Sequence, residues 1–135
     1  MKKFAKIMAV VLVAVMAVAL LVSCGPASDP DKAVAALKSN GYSNAIKLGA
    51  DGYSFNGLKA VVTASKGLLG SLLGGEEFQT ITIYYFESTQ AANDNYDAIQ
   101  SKSNSDSNKK DSDWVFGQNG AMIYYGTSQA VKDAR

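Results

Sequence analysis

The alternation of hydrophobic and polar positions predicts one clear strand near the middle of the chain. In residues 78–87, Ile81 and Ile83 fall on one face, whereas Thr82 and Tyr84 fall on the other. Side chains in a strand point alternately to opposite faces of the sheet. One face of this strand is therefore expected to be dry and the other amphipathic.

Shorter strands are predicted on both sides of it. Residues 58–64 are rich in β-forming side chains, and residues 114–118 and 121–125 flank Asn119-Gly120, the best hairpin signal in the sequence. Apolar and polar residues also alternate, less clearly, around Ile46/Leu48 and Tyr53/Phe55, which predicts further short strands. The turn dipeptides Asp51-Gly52 and Asn56-Gly57 interrupt this alternation.

Helix signals come before, between and after these strands. A helix is predicted over residues 29–40, because Asp29 can cap its start, Pro30 suits its first turn and Gly41 can end it. A second helix is predicted after a cap at Ser88 or Thr89, with an apolar stripe of Ala92, Tyr96 and Ile99. The polar residues 101–108 are predicted as a solvated loop, and a last helical turn follows a cap at Thr127 or Ser128.

The order of these elements, α-β-β-β-α-β-β-α, indicates an α+β fold. Because the strands are joined by hairpins rather than crossovers, we expect an antiparallel sheet of four to five strands with two to three helices packed on one face. On that face Ile81, Ile83 and Tyr85 should pack against Val34 and Leu37 of the first helix and against the stripe of the second. Residues 29–135 are expected to form a single domain.

The N-terminal residues have the layout of a signal peptide. Three lysines within residues 1–6 precede an uninterrupted apolar run over residues 7–22. As a helix this run would span about 24 Å, which is short of the roughly 30 Å of a hydrocarbon core. The run ends in Leu21-Val22-Ser23-Cys24, and this motif resembles the lipobox of bacterial lipoproteins.

The lipobox resemblance implies a lipid anchor. In that family the signal peptide is cut just before the Cys and a diacylglyceryl group is joined to the Cys thiol, which here places the cut between Ser23 and Cys24. Residues 1–23 would then be the signal peptide, and residues 24–28 the lipidated Cys with a short tether. The resemblance implies attachment to the membrane of a bacterial cell envelope, on its extracytoplasmic side. The alternatives are an ordinary secretory peptide cut nearby and a buried thiol.

The composition removes several classes of function. The chain has no His and one Cys, which excludes a Ser-His-Asp or Cys-His triad, an intramolecular disulfide and a Cys-rich metal site. Without residues 1–23 it carries 10 basic and 12 acidic side chains (13 − 3 and 12 − 0), about −2, which is no nucleic-acid footprint. Nucleophile elbows, phosphate loops and metal-ligand spacings are also missing from the sequence. We therefore expect no enzyme activity, cofactor, metal or nucleic-acid partner.

Two surfaces are candidates for contacts. The segment 67–75 carries four leucines between glycines, at positions that one helical turn would gather on one side: Leu68, Leu69, Leu72 and Leu73. If exposed, they would contact a membrane or a partner; the alternative is that they cap the open end of the core. The second surface is a sheet face with the aromatic side chains of Tyr84, Tyr124 and Trp114, beside Phe86. It would bind a ligand or partner, or form a second small core under the Tyr53/Phe55 hairpin.

These features together predict a lipid-anchored extracytoplasmic protein whose domain binds a small molecule or a protein. The alternative function is an envelope-assembly or membrane-contact accessory that acts through segment 67–75. A third hypothesis is an unrecognised hydrolase. Exposure of the leucines separates the first two, and the third requires a pocket in which ionisable groups converge.

Overall fold

A computed structural model describes residues 25–67, 72–74, 77–109 and 113–135. The helices of this part are α1 (Pro30–Ser39), α2 (Thr89–Asn104) and α3 (Ser128–Asp133). The strands are β1 (Ile46–Gly49), β2 (Leu58–Lys66), β3 (Gln79–Phe86), β4 (Val115–Asn119) and β5 (Met122–Gly126). They form one antiparallel sheet in the order β1-β2-β3-β5-β4. The predicted α+β class and the order of the elements are confirmed.

Helix α1 begins and ends where its local signals predict. The Oδ1 of Asp29 accepts a hydrogen bond of 2.9 Å from the amide of Asp31, and Pro30 occupies the first turn. Gly41, with φ of 95°, lets the chain leave the helix in a conformation that other residues avoid. The chain then returns on the helix, because the amide of Tyr42 donates to the carbonyl of Leu37.

The sheet has an apolar core on each of its two faces. Helices α1 and α3 cover the face that carries Ile81 and Ile83. Helix α2 covers the opposite face, where Ala92 and Ile99 pack with Tyr84 and Phe86. The expectation that α2 shares a face with α1 is therefore wrong. Successive residues of β3 from Ile83 to Phe86 are all large and buried, so both faces of this strand need a cover.

Two local predictions also differ from the structure. Residues 53–55 form a loop rather than a strand, and the rings of Tyr53 and Phe55 pack edge-on against Tyr84. Helix α2 continues into the polar run that was predicted as a loop. Ser103 is only 1% exposed, and its Oγ accepts a 2.9 Å hydrogen bond from Nε1 of Trp114. A serine is accommodated in a buried position when its hydroxyl has such a partner.

The residues predicted as a short tether are packed onto the domain. The amide of Ala27 donates to the carbonyl of Ala134, and the hydroxyl of Tyr85 donates to the carbonyl of Ala27, both at 2.8 Å. Gly25 lies against Tyr124, whose Oη would be 3.1 Å from a Cβ at this glycine. Both core clusters consist of residues that follow Gly25, so residues 25–135 contain the whole described core.

Candidate functional site

A cavity of about 350 Å³ lies at the end of the sheet where α1 begins. Ser28 and Pro30, the first residue of α1, line one side, and the ends of β1, β2, β3 and β5 line the other. Most of the wall is apolar and includes Leu48, Ala60, Phe86 and Met122. Two lysines, Lys47 and Lys59, belong to the same lining, and both side chains are exposed, so they stand where the cavity opens to solvent.

An irregularity in β2 places Lys59 at this cavity. Leu58 pairs with Phe86 and Ala60 pairs with Tyr85, so two residues advance on β2 for one on β3. Such a bulge redirects a side chain and changes the face of the residues beyond it. Leu58 accordingly packs in the α2 cluster, and Ala60 packs in the α1 cluster. Lys59 is the extra residue between them and forms no ion pair with the described residues.

Lys47 reaches the cavity from the edge strand β1. It pairs with Val62, a residue of the α1 cluster, and its Nζ lies 2.8 Å from Oδ1 of Asp31 in the first turn of α1. The hydrogen bond to this carboxylate, and then its negative charge, raise the pKa of Lys47 above its ordinary value. Both partners are exposed, so this ion pair contributes little to stability. Its consequence is that Lys47 stays protonated at the cavity.

Tyr85 holds the N-terminal segment over the cavity. Its ring is buried, and its hydroxyl donates the 2.8 Å hydrogen bond to the carbonyl of Ala27. Burial, and to a smaller extent the negative charge of Asp29, raise the pKa of Tyr85 above its usual range. The phenol therefore remains a neutral donor, and the side of the cavity formed by Ser28 and Pro30 is tied to the central strand.

The cavity is suited to binding and poorly suited to proton transfer by Lys47. A lysine that acts as a general base needs a lowered pKa, and the pKa of Lys47 is raised. No group of three His, Cys, Asp or Glu side chains within the described residues is placed to hold a metal ion. The cavity therefore presents a ligand with a mostly apolar lining and with two lysines at its opening.

The structure places the predicted leucine surface only in part. Leu72 and Leu73 are 76% and 79% exposed, which leaves both side chains available for a contact. Leu68 and Leu69 lie outside the described residues, as do Ser23 and Cys24. Where they are described, these leucines do not cap the core.

The predicted aromatic surface is not a free sheet face. Tyr84 is 3% exposed, and its hydroxyl lies 3.2 Å from that of Tyr125. Burial, followed by this hydrogen bond, raises the pKa of Tyr84 above its usual range. Trp114 is half-buried, with its ring centroid 6.0 Å from that of Tyr125. These side chains form the second core that the sequence left open as the alternative.

Tyr124 lies on the other face of the sheet from Tyr84. The register of β3 and β5 pairs Ile83 with Tyr124 and Tyr84 with Ile123. Paired residues share a face, so Tyr124 joins the side of α1 and packs against Gly25. A shift of one residue in register reverses every side chain of a strand. The sequence gives no local signal for this register.

The sequence contains no signal from which the cavity could be predicted. Its walls come from four strands, the residue Ser28 before α1 and the first residue of α1, and no short motif joins them. The nearest signal is Lys59, a charged residue within the apolar run Leu58-Lys59-Ala60-Val61-Val62. Alternation alone would place it on an ordinary solvated face. Only the pairing with β3 shows the bulge.

Comparisons of the chain with protein-family profiles, with curated proteins and with solved structures gave no match in any of the three. Among the described helices, none has the length and apolar character needed to cross a bilayer. The lipobox motif, the cavity and the exposed leucines are the features of this chain that point to a function.

Proposed function

We propose that this protein is a lipid-anchored lipoprotein of the bacterial cell envelope whose extracytoplasmic domain binds a small apolar ligand. The cavity beside α1 carries the binding part of the proposal. Its volume of about 350 Å³ falls within the roughly 300–1,000 Å³ of small-molecule sites, and its lining of apolar side chains with a few polar groups is typical of them.

The lipobox Leu21-Val22-Ser23-Cys24 supports the anchor. Gly25 and Ala27, which closely follow the lipobox, are packed on the domain. A lipid on Cys24 would hold the domain close to the bilayer, with no free tether between them. The cavity, which Ser28 lines, would then lie only a few residues from the membrane-attached end.

Replacing Cys24 by alanine should block lipidation and leave an uncut precursor or a released soluble form. The thiol is the group that the lipid would modify, and stable attachment requires acyl chains on the protein. Intact mass and membrane fractionation of the expressed protein measure both effects. Ser23→Ala is the matched control, because it keeps a small side chain before Cys24 and should leave processing unchanged. An unmodified Cys24 in wild-type membranes would contradict the anchor.

Filling the cavity should weaken ligand binding at least tenfold without unfolding the domain. In a soluble chain that begins at Ser23 and carries Cys24→Ala, Gly49→Phe would occupy part of the cavity, because Gly49 lines it and pairs with Ala60 of the α1 cluster. A Cβ at Gly49 meets no atom within 4 Å, so the new side chain does not displace the core. We expect octanol to shift the amide NMR signals of residues that line the cavity, and the variant to weaken binding at least tenfold, as expected when about two buried methylenes lose their site.

The control for this experiment is Ala98→Phe on the exposed side of α2, which adds the same ring away from the cavity. It should leave octanol binding unchanged. Absence of octanol-dependent shifts at the cavity in the unsubstituted soluble chain would refute the binding function.

A second candidate function is favoured by the exposure of Leu72 and Leu73. Exposed neighbouring leucines often mark a contact with a membrane or a protein partner. On this hypothesis the protein is an envelope-assembly or membrane-contact accessory, and segment 67–75 supplies the contact.

Replacing Leu72 and Leu73 together by serine should weaken binding of the soluble chain to liposomes and leave its thermal stability unchanged. Both side chains are already exposed, so folding loses little apolar burial. Liposome co-sedimentation and thermal unfolding measure the two quantities. Leu37→Ser, at a fully buried position of α1, is the control that should lower stability. If the double variant unfolds at a clearly lower temperature, the leucines serve the core instead.

A further inference from the structure

We propose that the ligand of this cavity is a medium-chain carboxylate, with its aliphatic chain in the cavity and its carboxylate at Lys59. The proposal rests on the binding function proposed above and specifies its ligand class. Three properties of the cavity carry it: its volume, its apolar wall and the state of the charges at its mouth.

The volume sets the size of the ligand. At about 30 Å³ for each water-sized group, 350 Å³ accommodates roughly a dozen non-hydrogen atoms. A diacyl lipid is too large for this space, whereas one short aliphatic chain fits. The mostly apolar lining, with Ala60 and Met122 on the face covered by α1, favours such a chain over a sugar or another polar body.

The charges at the mouth favour an acidic head group. Lys47 is paired with Asp31, and the carboxylate of Asp29 caps α1. Lys59 has no ion pair with the described residues, and the bulge in β2 places it in the lining. A ligand carboxylate would therefore meet a lysine without a described counter-ion. Because Lys59 is exposed, the contact requires little desolvation.

The start of α1 does not provide a competing anion site. Pro30, which lines the cavity, has no amide hydrogen, and the amide of Asp31 already donates to Asp29. Two backbone donors that often bind anions at a helix N-terminus are thus absent or occupied. The anion is assigned to the side chain of Lys59 for this reason.

The test compares head groups on one aliphatic chain. Octanoate, octanol and octyltrimethylammonium are titrated into the soluble Cys24→Ala chain described above, and binding is followed by NMR at the amides of the cavity lining. We expect octanoate to bind a few-fold, up to about fivefold, more tightly than octanol, because an ion pair with an exposed lysine is weak, and octyltrimethylammonium to bind most weakly. Added salt should reduce the preference, since Lys59 is exposed.

Lys59→Gln should lower the affinity for octanoate to that for octanol and leave octanol binding unchanged. Lys32→Gln is the matched control, because Lys32 is an exposed lysine of α1 outside the lining and its loss should change neither affinity. Thermal unfolding of each variant verifies the fold. The comparison of head groups on the unsubstituted chain needs no variant and tests the charge preference by itself.

The possible outcomes separate the two proposals. If none of the three probes binds, the binding function itself fails. If octanol binds as tightly as octanoate and Gly49→Phe weakens both, the cavity is a binding site but the acidic ligand is refuted. If octanoate keeps its advantage in Lys59→Gln, the assignment to Lys59 is refuted.

Discussion

Replacing Ile83 by alanine should lower the free energy of unfolding by about 2–5 kcal/mol. Ile83 is fully buried in β3, the central strand of the sheet, and packs in the cluster covered by α1 and α3. Its truncation removes apolar burial and leaves a cavity that a five-stranded sheet cannot close without moving its strands. Urea unfolding of the soluble chain measures the change.

The comparison for this prediction is Thr82→Ala, one position earlier on the same strand. Thr82 points to the opposite face and is only half-buried, so its loss should cost less than about 1 kcal/mol. The two substitutions share one backbone environment and differ in which face they alter. Equal losses at the two positions would show that the buried face of β3 has been assigned incorrectly.

Replacing Gly126 by alanine should destabilise the domain by about 3 kcal/mol, near the upper end of the usual effect of overpacking. Gly126 is buried and pairs with Ile81 of β3 and with Val115 of β4. An added Cβ would overlap the carbonyl oxygen of Thr80 and lie 2.8 Å from Cα of Ile81. Because these atoms belong to the backbone of the central strand, they cannot rotate away as a side chain would. Thermal and urea unfolding measure the loss.

Gly49→Ala is the control for Gly126. Gly49 also lies in a strand, but β1 is at the edge of the sheet and a Cβ there meets no atom within 4 Å. The change should be neutral or stabilise the domain by up to about 1 kcal/mol, because alanine restricts the unfolded chain. If both glycine variants are equally stable, β5 does not approach β3 as closely as described.

The candidate site was less accessible to sequence reasoning than the fold. The leucines stand out in the sequence because a run of apolar residues between glycines is unusual for a hairpin, and Leu72 and Leu73 are exposed. The aromatic residues also stand out in the sequence, but Tyr84 and Trp114 belong to a core. Residue type reports that a side chain is large and apolar. Whether such a side chain is covered depends on elements distant in the sequence.

The cavity shows this dependence most directly. Lys47 and Lys59 come from two strands and line the same cavity as Ser28, which precedes α1. Lys59 belongs to the lining because of the bulge in β2. The bulge is defined by the pairing of the two strands, since two residues advance on β2 for one on β3. Neither strand contains this information by itself. The role of Lys59 could be inferred only after β2 had been paired with β3 in the correct register.

The sequence by itself determined the elements whose signals are local. The cap at Asp29, the glycine at 41 and the alternation around Ile83 each act within a few residues, so α1 and β3 could be located from them. The tertiary structure alone decided which face each helix covers, that Tyr124 turns away from Tyr84, and that a cavity opens beside Lys59. These outcomes depend on strand register and on long-range packing, in which a shift of one residue exchanges the two faces of a strand.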